Sequence, residues 1–444
     1  MRLGLFGAVM VSSLCGALLI GCEGGSSRTT GPGALPAAGG QSAVGPPHGT
    51  RRPQSVPSCS GLGTGAFVGG GFENVASGAY SGVLEGNSNE VCDEESSVAG
   101  GYYNFISSGA NTSYYAFIGS GYDNSISGNG YQSVIGGGNV NSLTAPNAVI
   151  GGGNQNTLAG SDSVIAGGSQ NSITSSGTYG IIGGGSTNAV SAEYGTVAGG
   201  VSNTVSAEWG TVAGGNTNTA SGNGANVAGG ANNTASGPHS SVAGGSKNTA
   251  SGPQSFAAGV DSNAATAGAW VWSDDSIGAT QLSSTEANQF LARASGGFTF
   301  WTNASNTVGA TLAPGSGSWA SVSDRAMKTN VARIDDEEVL DKVARLPIGT
   351  WSYVSERGVR NVGPMAQDFY AAFGVGADDR HITAIDEDGV ALASIKALDA
   401  ENARLRVQQR TLRTQLAAMS TSQSSLQRRL RRLEASVAAL RQER

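Results

Sequence analysis

Between residues 134 and 250 the chain repeats one order of apolar, glycine and small polar positions. Residues 197–206, 212–221 and 227–236 read Val-Ala-Gly-Gly-Val-Ser-Asn-Thr-Val-Ser, Val-Ala-Gly-Gly-Asn-Thr-Asn-Thr-Ala-Ser and Val-Ala-Gly-Gly-Ala-Asn-Asn-Thr-Ala-Ser, superimposable at a period of fifteen. One apolar residue precedes each Gly pair: Ile135, Ile150, Ile165, Ile182, Val197, Val212, Val227 and Val242. A second follows the Asn by two: Leu143, Leu158, Ile173, Val190 and Val205, then Ala220, Ala235 and Ala250. The Asn series runs 141, 156, 171, 188, 203, 218, 233, 248 and 263, with a two-residue insertion before Asn188 and looser, aromatic-rich copies around Asn74, Asn104 and Asn124. This pattern predicts two short strands per coil separated by turns. Gly frees the backbone at a tight corner, and Asn either takes left-handed geometry or stacks as a hydrogen-bonded ladder. With so few apolar side chains per unit, stacked coils, and three chains together, are expected to supply the core.

The fold class expected is therefore mainly β: a Gly-rich parallel β-roll or β-solenoid rod over residues 59–268. The repeats resemble the head repeats of trimeric autotransporter adhesins, which implies a left-handed parallel β-roll in a trimer. The period of fifteen departs from that family's fourteen, so a single-chain parallel β-helix stays open. After Asn263 the period fails, and aromatics at alternating positions (Trp270, Trp272, Phe298, Phe300) suggest a β neck over 269–322.

The last segment follows a different rule. Ile395, Asn402, Gln409, Leu416, Gln423, Leu430 and Val437 stand at heptad position a, and Leu398, Leu405, Leu412, Met419, Leu426, Leu433 and Leu440 at d. That is a coiled coil over 394–444, with polar a positions that fix register and strand number. Glu401 with Arg406, and Arg429 with Glu434, stand at g and following e positions, where parallel chains pair.

Composition and charge refine the picture. Glycine contributes 70 of 444 residues and charged residues only 13%, which excludes an ordinary globular core. Net charge is −7, although residues 401–444 carry ten Arg against three Glu. On a heptad-patterned helix those Arg form a solvated face, so no nucleic-acid partner is expected. Arg2 and the apolar run from Leu3 to Ile20 read as an export signal. Leu19-Ile20-Gly21-Cys22 resembles the bacterial lipoprotein signal, which implies a signal peptide over 1–21, lipid on Cys22 and an outer-membrane location. Residues 22–58 read as a flexible Gly/Pro/Ser linker. In an exported chain Cys59 and Cys92 either pair as a disulfide or stay as two buried thiols. His48, His239 and His381 are scattered, and neither a metal nor another cofactor is expected.

The candidate chemistry lies in Ser323-Asp324-Arg325-Ala326-Met327-Lys328. A serine hydroxyl becomes nucleophilic when a base takes its proton, and Lys serves if its pKa is lowered. Downstream come Val339 to Pro347, Trp351-Ser-Tyr353, Val362-Gly-Pro-Met-Ala-Gln-Asp-Phe-Tyr370 and Gly389 to Leu398. Together these resemble the self-cleaving intramolecular chaperone domain of phage tailspikes and endosialidases, over residues 323 to about 406. The resemblance implies a small α+β chaperone over 323–393 that templates a homotrimeric fibre and then cuts at the Ser323–Asp324 junction. Ser323 would be the nucleophile, Lys328 the general base and Asp324 the residue beside the scissile bond, with Met327 where the family often has Leu. Gly363 to Gln367 matches a fold-defining motif without a catalytic role.

The function expected is a lipid-anchored surface fibre or adhesin, autoproteolytic on its own chain alone, with a surface glycan or other host ligand. A tailspike-like fibre that binds or degrades glycans is the alternative, and a passive ice- or mineral-binding rod a third. Hydrolysis needs a facing carboxylate pair, whereas Asp162, Glu193 and Glu208 are scattered. Cys22→Ser is expected to abolish incorporation of labelled fatty acid and free the chain from the membrane fraction. Labelling that survives the substitution refutes lipidation at Cys22.

Overall fold

Two inward-pointing apolar residues per repeat, each in a strand too short to hold itself, need a neighbouring coil on either side. The computed structural model describes residues 59–109, 113–276 and 280–442. The signal segment, Cys22 and the linker to residue 58 lie outside them. The chain divides into two units, Met1–Arg293 and Ala294–Arg444.

In the first unit fifteen strands form one parallel ladder and fourteen form a second, consecutive strands alternating between the two. Most strands are two residues long: Val149–Ile150 pairs with Val164–Ile165 in the first ladder, and Thr157–Leu158 with Ser172–Ile173 in the second. A third, single-residue ladder links Asn139, Asn154 and Ser169. Strand alternation sends Ile150, Leu158, Ile165 and Ile173 inward, where they are completely buried, while Val149, Thr157, Val164 and Ser172 face outward. Burying each such aliphatic side chain contributes about 1.5–3 kcal/mol. This core closes inside one chain. The expectation that three chains must share it is corrected: small residues such as Ala148, Ser163 and Gly180 let the coil walls meet without help.

Asparagine forms the ladder rather than the left-handed corner. Asn156 is fully buried. Its backbone N–H donates to Asn141 Oδ1 at 3.0 Å, and its Nδ2 donates to Asn141 Oδ1 at 3.1 Å and to the carbonyls of Gly152 and Gly168 at 3.0 Å each. Asn156 Oδ1 in turn accepts the Asn171 N–H at 3.0 Å. The residue before the Asn takes the positive φ instead, including Val140 at 56°. Asn89 belongs to the same ladder, between Asn74 and Asn104. At the other end, Ser262 and not Asn263 continues it, its N–H donating to Asn248 Oδ1 at 3.0 Å. The repeat has lost one residue there, and Asn263 turns out to bond Ser283 Oγ.

The second glycine of each pair is obligatory. Gly153 has φ 97°, and a Cβ on it would fall on the Gly168 carbonyl oxygen, the same atom that accepts from Asn156. Insertions fall at two corners: between the second strand of a coil and the first of the next, as in Phe105–Ser107 to Phe117–Ile118 and Ser172–Ile173 to Ile181–Ile182, and, in the last coil, between Trp270–Ser273 and Leu282–Ser283. Another difference concerns the neck. The first ladder runs on through Trp270–Ser273 to Phe290–Arg293, and antiparallel pairing starts only with Phe298–Trp301 against Gly309–Leu312. Lengthened corners broke the sequence period without breaking the ladder.

The second unit holds that antiparallel sheet, completed by Ala320–Ser321, then helix α1 (Asp336–Arg345), a hairpin of Gly349–Trp351 with Asn361–Gly363, helix α2 (Ala366–Phe373) and helix α3 (Ala384–Gln442). Asp335 caps α1 by accepting the Glu337 and Glu338 N–H groups, and Gly374 closes α2 at φ 64°. The acidic start of α1 is tied to α3 by Lys396 on Asp336 at 2.6 Å and by Arg404 on Glu337. Among the described residues of this unit, the apolar side chains that reach full burial are Phe369, Ala393 and Ala397.

Asn156→Ala orphans the buried Asn171 N–H and is expected to cost about 2–3 kcal/mol. Asn156→Asp should cost more, because it aims a carboxylate at two carbonyls. Val140→Asn should stabilise by about 1 kcal/mol, since Asn tolerates left-handed geometry better than a β-branched residue. Denaturation midpoints of the three variants check these values.

Candidate functional site

Residues 323–328 are folded into contact by one short turn. Asp324 is its N-cap, with Oδ1 accepting the Ala326 N–H at 2.9 Å, and Arg325–Met327 form a single 3-10 turn. The Lys328 N–H closes it on the Arg325 carbonyl at 3.2 Å, leaving Lys328 itself extended. The chain thereby doubles back, and Lys328 Nζ donates to Ser323 Oγ at 2.6 Å. Two side chains five residues apart in sequence are in direct contact. Asp324 thus serves the local fold by shaping the turn that joins them.

Every residue from Ser323 to Lys328 is exposed in the single chain. A lysine accepts a proton near neutral pH when burial or a nearby cation disfavours its ammonium form. This chain's own fold does not bury the Ser323–Lys328 pair. Farther on, Asp378 bridges the turn before α3. The Arg380 backbone N–H, and then His381, hold its carboxyl below the ordinary range. It accepts both backbone N–H groups, at 2.9 and 3.0 Å.

Helix α3 presents an apolar stripe to solvent, interrupted at position a by Asn402, Gln409 and Gln423. Leu405, Leu412, Leu416, Met419, Leu426, Leu433 and Leu440 are all more than half exposed. Leu416 stands at heptad position a and the other six at d.

Cys59 and Cys92 form a disulfide, with Cα atoms 5.6 Å apart. Glu90 Oε1 accepts the Cys59 N–H at 2.5 Å. Among the described residues this trio is also the one His, Cys, Asp or Glu grouping tight enough for a metal, but both sulfurs are spent in the bridge.

Sequence reading passed over an aromatic column on one corner of the solenoid. Tyr179 stacks on Tyr194 with centroids 5.0 Å apart, and Tyr194 on Trp209 at 4.0 Å, all three with positive φ. Desolvation within the stack, and then the Glu193 carboxylate, push the Tyr194 hydroxyl pKa up. Their shared position in the repeat was the available signal. Glu193 and Glu208 flank this column, and Asp162 Oδ1 accepts from Asn147 Nδ2 at 3.1 Å on the same corner.

Residues 323–375 match the family model described as the chaperone of endosialidase, a family of self-cleaving intramolecular chaperones. The match begins at Ser323 and ends just after α2, so it is shorter than the stretch to about 406 suggested by the sequence, and α3 falls outside it. No curated protein matches the chain.

Removing the disulfide with Cys92→Ser is expected to destabilise the first coils by about 3–4 kcal/mol, the loop-closure value for a bridge of this span. Hydrogen exchange in residues 67–91, compared with that in 196–250, checks whether the loss is confined to the first coils.

Proposed function

We propose that this chain is a homotrimeric, lipid-anchored surface fibre whose C-terminal segment aligns three copies and then cuts itself away. A β-solenoid joined to a chaperone-of-endosialidase segment fits a tail-fibre or tailspike-like protein. The observation that carries the finer reading is the 2.6 Å contact between Lys328 Nζ and Ser323 Oγ, at the first residue of the family match. The Leu19 to Cys22 pattern supports an anchor in the outer membrane.

On this reading α3 acts first. Its exposed stripe removes apolar surface from water by joining two further copies, which raises the effective concentration of the attached solenoids. Alignment matters because copies related by one rotation axis bring matching levels of the three solenoids together. Lys328 then takes the hydroxyl proton as Oγ attacks a peptide carbonyl. The amine leaves with a proton returned by Lys328, and water hydrolyses the ester. Closing Ser323 Oγ onto its own carbonyl carbon would form a four-membered ring, so the hydroxyl that cuts Ser323–Asp324 comes from a neighbouring copy. The same neighbour supplies the burial that the lysine base needs. Loss of the chaperone afterwards leaves the fibre kinetically trapped.

Expression of the full chain should yield two fragments separated at Ser323–Asp324 by denaturing gel and mass spectrometry. Ser323→Ala should stay intact, and Lys328→Ala should slow cutting by roughly 10²–10⁴-fold. A tagged Ser323→Ala chain co-expressed with wild type should be cut in mixed trimers. Leu412→Asp with Leu416→Asp should prevent both trimer formation and cutting. Wild-type chains that form trimers normally and stay full length would sink the self-cleavage reading.

A further inference from the structure

We infer that the outward face of the first ladder is where the solenoids of neighbouring copies pack against one another. The inference rests on the homotrimer reading and adds the surface that the solenoids use.

The first two residues of each first-ladder strand point one side chain out and the next one in, so the leading outward residues form a column. From Phe117 through Val134, Val149 and Val164 to Ile181 this column is apolar and solvent-facing, with Val164 36% and Ile181 46% exposed. After four polar rungs it becomes aromatic: Phe256, Trp270 and Phe290 stack with centroids 5.4 and 4.4 Å apart, and Phe290 is 69% exposed. None of the fifteen rungs from Phe67 to Phe290 places a charged residue in it.

Symmetry makes that lack of charge meaningful. Parallel copies related by rotation about one axis bring each rung near the axis opposite the same rung of its neighbours. A charged rung would then meet its own charge at close range, whereas an apolar rung meets a matching apolar surface. The corner bearing Glu95, Asp162, Glu193 and Glu208 is unsuited to such an axis. The second ladder is nearly uncharged as well, but from Ser125 through Thr157 to Thr249 every outward rung except Ala189 carries a hydroxyl. It has no apolar run to match Phe117 to Ile181, whereas the first ladder is polar over only four successive rungs in that stretch. Drying hydroxyls without new partners is unfavourable, so that face belongs in water. The occupant of the first face is a second copy of this chain, because α3 independently presents an unpartnered heptad stripe that calls for parallel copies.

Single cysteines placed in the full-length chain test the assignment, with sedimentation of the same samples giving the oligomeric state. Val164→Cys and Ile181→Cys replace outward side chains and leave the core intact. Each is expected to give a cross-linked dimer band on a non-reducing gel after mild oxidation, while Thr234→Cys stays uncross-linked. A trimer that cross-links through Thr234→Cys, or through none of these positions, overturns this surface and leaves the trimer standing. A chain that sediments as a monomer overturns both.

Discussion

Each buried asparagine amide of the ladder bonds the coil before it and the coil after it, and the rest of the rod follows from that dependence. Asn156 takes Asn141 as acceptor on one side and offers its own oxygen to Asn171 on the other. The side chain also bonds the Gly168 carbonyl, which accepts the Asn154 N–H as well. A single coil would leave its amide and its two aliphatic residues facing water, so neither contributes until a neighbouring coil stacks on it. Stability is therefore a property of neighbours, as in other solenoids. The same bonds explain the glycine pair, because the carbonyl that the amide needs occupies the place of a Cβ.

Much of this rod could be read from the chain because its rule is periodic. The inward positions from Ile135 to Ala250 and the Asn ladder follow directly from the spacing. What escaped was set by tertiary context. Nothing local predicts that Val140 or Trp209 adopts left-handed backbone, since the ladders on either side impose it. Ser262 was hidden because a one-residue deletion moved the ladder off the obvious asparagine. The self-sufficient core was missed because counting apolar residues ignores how closely Ala, Ser and Gly let the walls approach.

The C-terminal unit shows a different limit. Ser323 and Lys328 were legible as candidates, and the turn that joins them follows from the Asp324 cap. Their environment was not legible, because one chain leaves them in solvent and supplies little core around them. The solenoid core is complete within one chain, whereas the C-terminal unit leaves most of its apolar side chains in solvent. On the proposed reading, this contrast explains why assembly would begin at the unit least able to stand alone and end with a rod that no longer needs it.

The disulfide adds a mechanical property. Cys59 opens the described fold, and Cys92 lies beyond the strand Glu90–Val91. A pull arriving along the chain from ahead of residue 59 crosses the sulfur bridge to Cys92 and bypasses the peptide backbone of residues 60–91. The coils nearest the load are thereby taken out of the force path. Tension cannot unzip the solenoid from its first strand while that bridge is intact.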